Sequence, residues 1–169
     1  MRNLKDIILE RLILSKNTKH TLFPKTKDEL KEIIESEIEK NGNECSLNHI
    51  DVSKITNMRM LFCRSKFNGD ISEWDVSNVT DMGYMFRNSE FDGDISKWDV
   101  SNVTTMECTF SYSKFTGKNG DITRWDVSNV KNMSWMFASS LFNQDISTWK
   151  VSKTSNTTYM FNDSPLEKN

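Results

Sequence analysis

The chain has 169 residues, a formal net charge of −2 and a hydrophobic content of 36%. This length suits one domain, and the low hydrophobic content favours an elongated molecule with a thin core. Residues 1–49 hold nine Lys or Arg against nine Asp or Glu, and the remaining residues hold thirteen against fifteen. Neither part has the basic excess typical of nucleic-acid binding, so nucleic acid is not expected as the direct target.

The cysteine pattern and the hydropathy of the chain bear on its location. Cys45, Cys63 and Cys108 form neither a C-x-x-C pair nor an even-numbered framework, which is the usage expected of reduced thiols in a cytosol. Glu10 and Arg11 interrupt the only apolar stretch near the start, so no signal-peptide core is predicted. No run of about 18 apolar residues exists to span a membrane. We therefore predict a monomer in the cytoplasm of a bacterial host, without membrane association.

Two amphipathic helices are predicted before residue 50. The first follows the apolar residues between Leu4 and Leu14, which recur at helical spacing. The second begins at a capping box, Thr26 to Glu29, and ends at the Asn41-Gly42 stop. Its apolar stripe consists of Leu30, Ile33, Ile34 and Ile38. We interpret residues 1–49 as a helical N-terminal cap over the open end of a repeat array.

Five copies of one sequence repeat occupy residues 50 to 161. The pattern W-D-V-S-N-V-T-D-M-G-Y-M-F starts at Trp74 and returns, with changes, at Trp98, Trp125 and Trp149, while the first copy starts at Ile50. The steps between these anchors are 24, 24, 27 and 24 residues, and Lys118 to Gly120 account for the longer one. A fixed period in this range indicates a solenoid. Residues 50–169 are therefore predicted to form five coils, the last one degenerate and capping.

Apolar columns define the predicted core when each anchor is counted as position 0. Met recurs at +8, Phe at +12 and Phe again at +17, so these columns should face inward and stack into ladders. Asp70 to Val76 alternates like a short strand, and Thr80 to Phe86 has helical spacing. The predicted fold class is thus an α/β repeat solenoid, leucine-rich-repeat-like, with one short strand and one short helical turn per coil.

Two columns of aspartates run through the repeats, exemplified by Asp70 and Asp75. Stacked carboxylates would repel one another, so we expect local backbone N–H groups to bind them as in Asx-turns. The alternative is a calcium-binding turn, suggested by Asp92-Gly-Asp94. His20 and His49 lie outside the array, and no nucleophile elbow, phosphate loop or metal-ligand spacing is present. The sequence predicts no catalytic, cofactor or metal residues, and a metal-dependent enzyme is the least favoured class.

The columns at which the copies differ are the candidate binding surface. If +8, +11 and +12 point inward, then +9, +10 and +14 point outward, and they carry aromatic and arginine side chains typical of interface hot spots. The predicted partner-binding residues are Arg59, Arg64, Tyr84, Tyr112, Trp135 and Tyr159. The alternatives are that these side chains only pad the flank of the coils, or that binding uses the strand face at Glu73, Lys97 and Arg124.

The repeat W-D-V-S-N-V-T-x-M-x-x-M-F, preceded by D-I-S, resembles the BspA-like leucine-rich-repeat family over residues 50 to 163. That resemblance implies a non-enzymatic, adhesive or protein-binding solenoid and supplies no catalytic residues. We expect a protein that binds a partner inside the cell and acts by sterically occupying its surface. The alternatives are an inhibitor, encoded by a phage or mobile element, of a host defence system such as a CRISPR effector, and a surface adhesin.

Overall fold

The computed structural model describes residues 20–168. Its one α-helix, α1, comprises Lys27–Asn41, and a short 3₁₀ helix comprises Pro165–Lys168. Between them the chain is built from turns, and five coils start at residues 50, 74, 98, 125 and 149. The predicted helix between Leu4 and Leu14 lies outside the described residues. None of the described residues belongs to a helix that is both long and apolar enough to cross a bilayer.

The second predicted helix is confirmed as α1. The Thr26 side chain accepts a hydrogen bond from the backbone N–H of Glu29 at 3.2 Å, as an N-cap does. The Glu29 carboxylate accepts from the N–H of Lys25 at 2.7 Å, one residue before the donor of a standard capping box. Gly42, with φ 84°, ends the helix by donating its N–H to the carbonyl of Ile38.

One face of α1 packs on the end of the repeat core. Leu30 and Ile34 are buried there, and Ile33 and Ile38 are partly buried against the same cluster. Burying an apolar side chain of this size contributes roughly 1.5–3 kcal/mol. The helix therefore shields part of the apolar surface that the first coil would otherwise expose.

The prediction of an α/β solenoid with a strand and a helical turn in each coil is wrong. Residues 50–161 contain no helix, and their ladder contacts are isolated parallel bridges, such as Asn57 with Asp81 and Asp81 with Thr105, that do not extend into strands or a sheet. The supposed strand Asp70–Val76 bends at a turn, in which the N–H of Trp74 binds the carbonyl of Ile71. The repeat is regular, but its backbone belongs to neither regular secondary structure.

Overlapping turns take the place of the predicted helix. In the first coil the N–H groups of Leu61, Cys63 and Ser65 each bind the carbonyl three residues earlier, at 3.1 to 3.2 Å. Met60 and Arg64, the third residues of two of these turns, have φ values of 64° and 60°. Positive φ at that position is type II geometry, and it is incompatible with an α-helix or a strand. The left-handed residues are thus the physical reason that no helix forms.

The coils are joined by hydrogen bonds that alternate with those turns. The N–H groups of Met58, Met60, Phe62 and Arg64 reach the carbonyls of the next coil, at Asp81, Gly83, Met85 and Arg87. The same four bonds recur at each of the four junctions, with lengths of 2.7 to 3.0 Å. Two left-handed residues per coil cost about 2–4 kcal/mol, and four such bonds contribute about 2–6 kcal/mol. The ladder thus offsets the backbone strain that each coil carries.

Aromatic ladders fill the core in the predicted register. The rings of the +12 column stack almost parallel, with centroid separations of 5.5, 5.5, 5.6 and 6.1 Å along Phe62, Phe86, Phe110, Phe137 and Phe161. The +17 rings, such as Phe115, and the +8 methionines from Met58 to Met133 are also fully buried. Each anchor indole donates its N–H to the carbonyl three residues before the preceding anchor, at 3.0 Å from Trp74 to Leu47. The inward columns are confirmed.

The three extra residues of the third coil form a surface turn. Gly117 has φ 77°, and the N–H of Gly120 binds its carbonyl at 3.2 Å. The indole of Trp125 still reaches the carbonyl of Ile95 at 3.3 Å across this longer step. The insertion therefore lengthens a loop and leaves the ladders in register, as the sequence predicts.

Candidate functional site

The left-handed residues form two columns along one side of the stack, here called the αL face. Each coil contributes its +10 and +14 residues, with φ between 53° and 64°. Their identities are Met60, Arg64, Tyr84, Asn88, Cys108, Tyr112, Trp135, Ser139, Tyr159 and Asp163. Only asparagine and aspartate among these types favour positive φ, so bulky side chains occupy the face against a local backbone preference.

Several of these side chains are exposed although they are large and apolar or aromatic. The exposed fractions are 54% for Met60, 56% for Tyr112, 38% for Trp135 and 58% for Tyr159. Two residues of the +10 column are not exposed: Cys108 is buried at 9%, and Tyr84 is partly buried. Single exposed apolar residues are normal on a protein surface and need no special explanation. Several large ones on the same face, aromatic residues above all, are typical of a binding surface.

Tyr84 anchors a polar cluster in the middle of the αL face. The Arg59 guanidinium lies 4.5 Å from the centre of its ring, and the phenol donates to the Glu107 carboxylate at 3.0 Å. The same carboxylate contacts Arg59 at 3.4 Å, and Asp81 lies 3.8 Å from the other guanidinium nitrogen. Burial and the Glu107 carboxylate raise the pKa of Tyr84 to about 12. This cluster holds Arg59 and Tyr84 in fixed orientations.

The remaining aromatic residues of the αL face lie on the third, fourth and fifth coils. Arg87 lies between two rings, with its guanidinium carbon 5.9 Å from the centres of both Tyr84 and Tyr112. Trp135 and Tyr159 contact each other, with ring centroids 4.5 Å apart. Contacts between neighbouring side chains restrict their rotamers before a partner binds, which lowers the entropy cost of binding.

The structure brings together most of the predicted binding residues, but not all. Arg59 contacts Tyr84, whereas Arg64 is exposed at the edge of a cleft beside α1. The expectation that the whole +9 column points outward is wrong, because Gly83 and Ser134 are buried. Gly83 is buried where Arg59 covers it: an added Cβ would lie 2.4 Å from a guanidinium nitrogen.

Sequence reasoning missed Arg87, which links Tyr84 to Tyr112. Its +13 column reads Cys63, Arg87, Ser111, Ala138 and Asn162, so the column varies as much as those that were chosen. That variability was the available signal. Arg87 was missed because the predicted helix assigns side-chain directions to this segment that the observed turns do not follow.

The aspartate columns lie away from the αL face and form Asx-turns. Asp70, Asp94 and Asp121 each accept a hydrogen bond at 2.9 Å from the backbone N–H two residues later. Hydrogen bonds from the hydroxyl and the backbone of Ser101 hold the pKa of Asp99 below its usual value, and Ser128 does the same for Asp126. Local bonds thus satisfy the stacked carboxylates.

The functional groups of the αL face limit the chemistry that it can offer. Burial raises the pKa of the Cys108 thiol, so the thiol stays protonated near neutral pH and is a poor nucleophile. Within residues 20–168, no three His, Cys, Asp or Glu side chains lie together in a way that could hold a metal ion. The face can offer aromatic rings, guanidinium groups and a thioether to a partner.

Two segments of the chain, residues 29–118 and 112–167, match one family model, which is described as Mycoplasma protein of unknown function, DUF285. The chain belongs to this family. No curated protein matches the chain, and no solved structure matches it.

The DUF285 region contains the whole candidate site. Its first segment begins at Glu29, inside α1, and its second ends at Glu167, beyond the last coil. Every residue of the αL face, from Met60 to Asp163, therefore lies within the family region. The DUF285 description assigns no activity, so the functional argument rests on the geometry of the face.

Proposed function

We propose that this DUF285 protein is a non-catalytic binding module that docks a partner protein on its αL face and acts by covering the partner's surface. The observation that carries the proposal is the set of exposed Met60, Tyr112, Trp135 and Tyr159 side chains in the two columns of the αL face. Aromatic and arginine side chains supply most of the binding energy in protein interfaces. Here they are held by ladders that need no rearrangement on binding, which favours affinity.

The resemblance of the repeat to the BspA-like leucine-rich-repeat family supports the same class of function. Membership in DUF285 is compatible with that resemblance at the level of a repeat protein. A cytoplasmic setting is part of the proposal, and the free thiols of Cys45, Cys63 and Cys108 support it. An inhibitor of a host defence system and a surface adhesin would both be protein-binding modules, and the identity of the partner would distinguish them.

The test begins with capture of partners by the tagged chain from its native host, followed by a binding measurement with the purified candidate. A Tyr112→Ala, Trp135→Ala variant should lose about 2 kcal/mol or more of binding free energy, which is about thirtyfold in Kd. The matched control is Phe23→Ala, Leu141→Ala, which removes exposed apolar side chains outside the αL face. Equal affinity for the two variants, both with unchanged melting curves, would refute the proposed face.

A further inference from the structure

A second surface lies at the end of the stack, where α1 meets the first coil. A cleft of about 640 Å³ separates the helix from the turns of residues 59–65. Five cationic side chains line it, namely Lys27, Lys31, Arg59, Arg64 and Arg87. The exposed thioether of Met60 also lines the cleft, so the cleft is continuous with the αL face.

Three of the five cations form no ion pair with a carboxylate among residues 20–168. Arg59 is held by carboxylates of the neighbouring coils, and Lys31 forms an ion pair of 3.8 Å with Glu35. Within the described part of the chain, no carboxylate pairs with Lys27, Arg64 or Arg87. The other carboxylate that lines the cleft is Asp28, next to Lys27 in the first turn of α1. The cleft therefore carries a net positive charge that its own residues leave uncompensated.

The acceptor end of the hydrogen-bond ladder lies at residues that line the cleft. Within the stack, the carbonyls of Gly83, Met85 and Arg87 each accept an N–H from the coil before. Their equivalents in the first coil are the carbonyls of Arg59, Leu61 and Cys63, and these three residues all line the cleft. The Arg59 carbonyl accepts from the Lys27 ammonium at 3.5 Å. Among residues 20–168, no donor reaches the other two.

The positive charge of the cleft and its edge of backbone carbonyls together indicate the chemistry of the ligand. Carbonyls that no donor among residues 20–168 reaches can accept N–H groups from a ligand, and a polypeptide backbone supplies such donors in a row. A phosphate backbone would satisfy the cations but offers acceptors rather than a row of N–H donors. Residues 1–19 of the chain itself carry five Lys or Arg against two Asp or Glu, so charge complementarity favours a segment of another protein.

We propose that this cleft binds an acidic polypeptide segment of the partner protein. The segment lies along the first coil and donates backbone N–H groups to the carbonyls of Leu61 and Cys63. Its carboxylates pair with Lys27, Arg64 and Arg87, and its apolar side chains contact Met60. This inference rests on the proposed function, because it names the chemistry by which the docked partner continues past the αL face.

The test uses the full chain and a fluorescent peptide of alternating glutamate and valine, with binding followed by anisotropy. Saturable binding is expected, and Arg64→Gln, Arg87→Gln should raise Kd about tenfold or more. The charge-matched control Lys131→Gln, Lys153→Gln, on exposed positions of the later coils, should leave Kd within about twofold. If the double Arg variant melts early, Lys27→Gln gives the same comparison on α1.

N-methylated peptides separate backbone recognition from charge alone. Two methylated peptides, one with all valine and one with all glutamate amide nitrogens methylated, each lose every second N–H donor and keep all carboxylates, so Kd should again rise about tenfold for at least one of them. The inference is overturned if the acidic peptide fails to bind, if the Arg and Lys variants bind it equally, or if N-methylation has no effect. It is also overturned if an oligonucleotide of equal charge binds as tightly as the peptide. None of these results affects the Tyr112 and Trp135 comparison, so the two proposals fail separately.

Discussion

Phe110→Ala removes one rung from the centre of the longest aromatic ladder. Phe110 is fully buried, and its ring centre lies 5.5 Å from Phe86, 4.3 Å from Phe115 and 5.6 Å from Phe137. Each ring pair is worth about 0.5–1.5 kcal/mol beyond the area it buries. Buried Phe→Ala changes cost about 3–5 kcal/mol in total, and three lost ring contacts place this one toward the upper end.

The assay is urea unfolding followed by tryptophan fluorescence, since four of the five tryptophans anchor the coils and the fifth, Trp135, lies on the αL face. With a slope of about 2 kcal/mol per molar urea, the midpoint should fall by roughly 2 M. Tyr112→Ala is the control, because it removes an exposed ring of the same stack and should cost under about 1 kcal/mol. A loss of under about 1 kcal/mol for Phe110→Ala would show that the ladder does not hold the coils together.

Three further predictions concern the backbone and two kinds of titrating group. Ser139 has φ 53°, so Ser139→Val should lower the free energy of unfolding by about 2 kcal/mol more than Ser139→Gly in the same urea assay. Because the pKa of Tyr84 is raised to about 12, its neutral form stabilises the fold; this contribution is present below about pH 10 and is lost as the pH rises through about 12. Ultraviolet titration of the parent should show one phenol that ionises at about pH 12. This transition should be absent from Tyr84→Phe. The lowered pKa values of Asp99 and Asp126 give stability that is present above about pH 4 and is lost as the pH falls through their folded-state values. The melting temperature of an Asp99→Asn, Asp126→Asn variant should therefore fall less on acidification. Equal stability of the two Ser139 variants, an unchanged ultraviolet titration, or parallel acid profiles would each contradict the corresponding argument.

The core could be predicted from the sequence because burial requires apolar side chains at recurring positions. Five phenylalanines at +12 and four methionines at +8 cannot all face solvent, so their columns were identified without knowledge of the backbone. The cap helix was equally accessible, since Thr26 and Gly42 are end signals with a local physical cause. Each of these features is signalled by a particular residue type at a particular position in the sequence.

The backbone of the repeat could not be predicted in the same way. Met82, Met85 and Phe86 have helical spacing, but overlapping turns bury residues at the same intervals over so short a segment. Positive φ is usually signalled by glycine or asparagine, and here tyrosine, tryptophan and methionine adopt it. The inter-coil hydrogen bonds that impose this conformation are contacts between residues about 24 positions apart. The misplaced +9 column and the overlooked Arg87 follow from that one error.

Because the coils are hydrogen-bonded in layers, each coil adds the same distance to the length of the stack. In the backbone ladder each coil bonds only to the coils before and after it, and the central rungs of the +12 column are 5.5 or 5.6 Å apart. The cleft opens on the first coil, while Trp135 and Tyr159 lie on the fourth and fifth. Deleting one 24-residue coil in register would therefore bring these two surfaces closer by one coil spacing, and duplicating one would separate them by the same distance. Neither change would alter the residues that form either surface. Copy number in such a chain therefore sets the distance between the cleft and the aromatic pair of the last two coils.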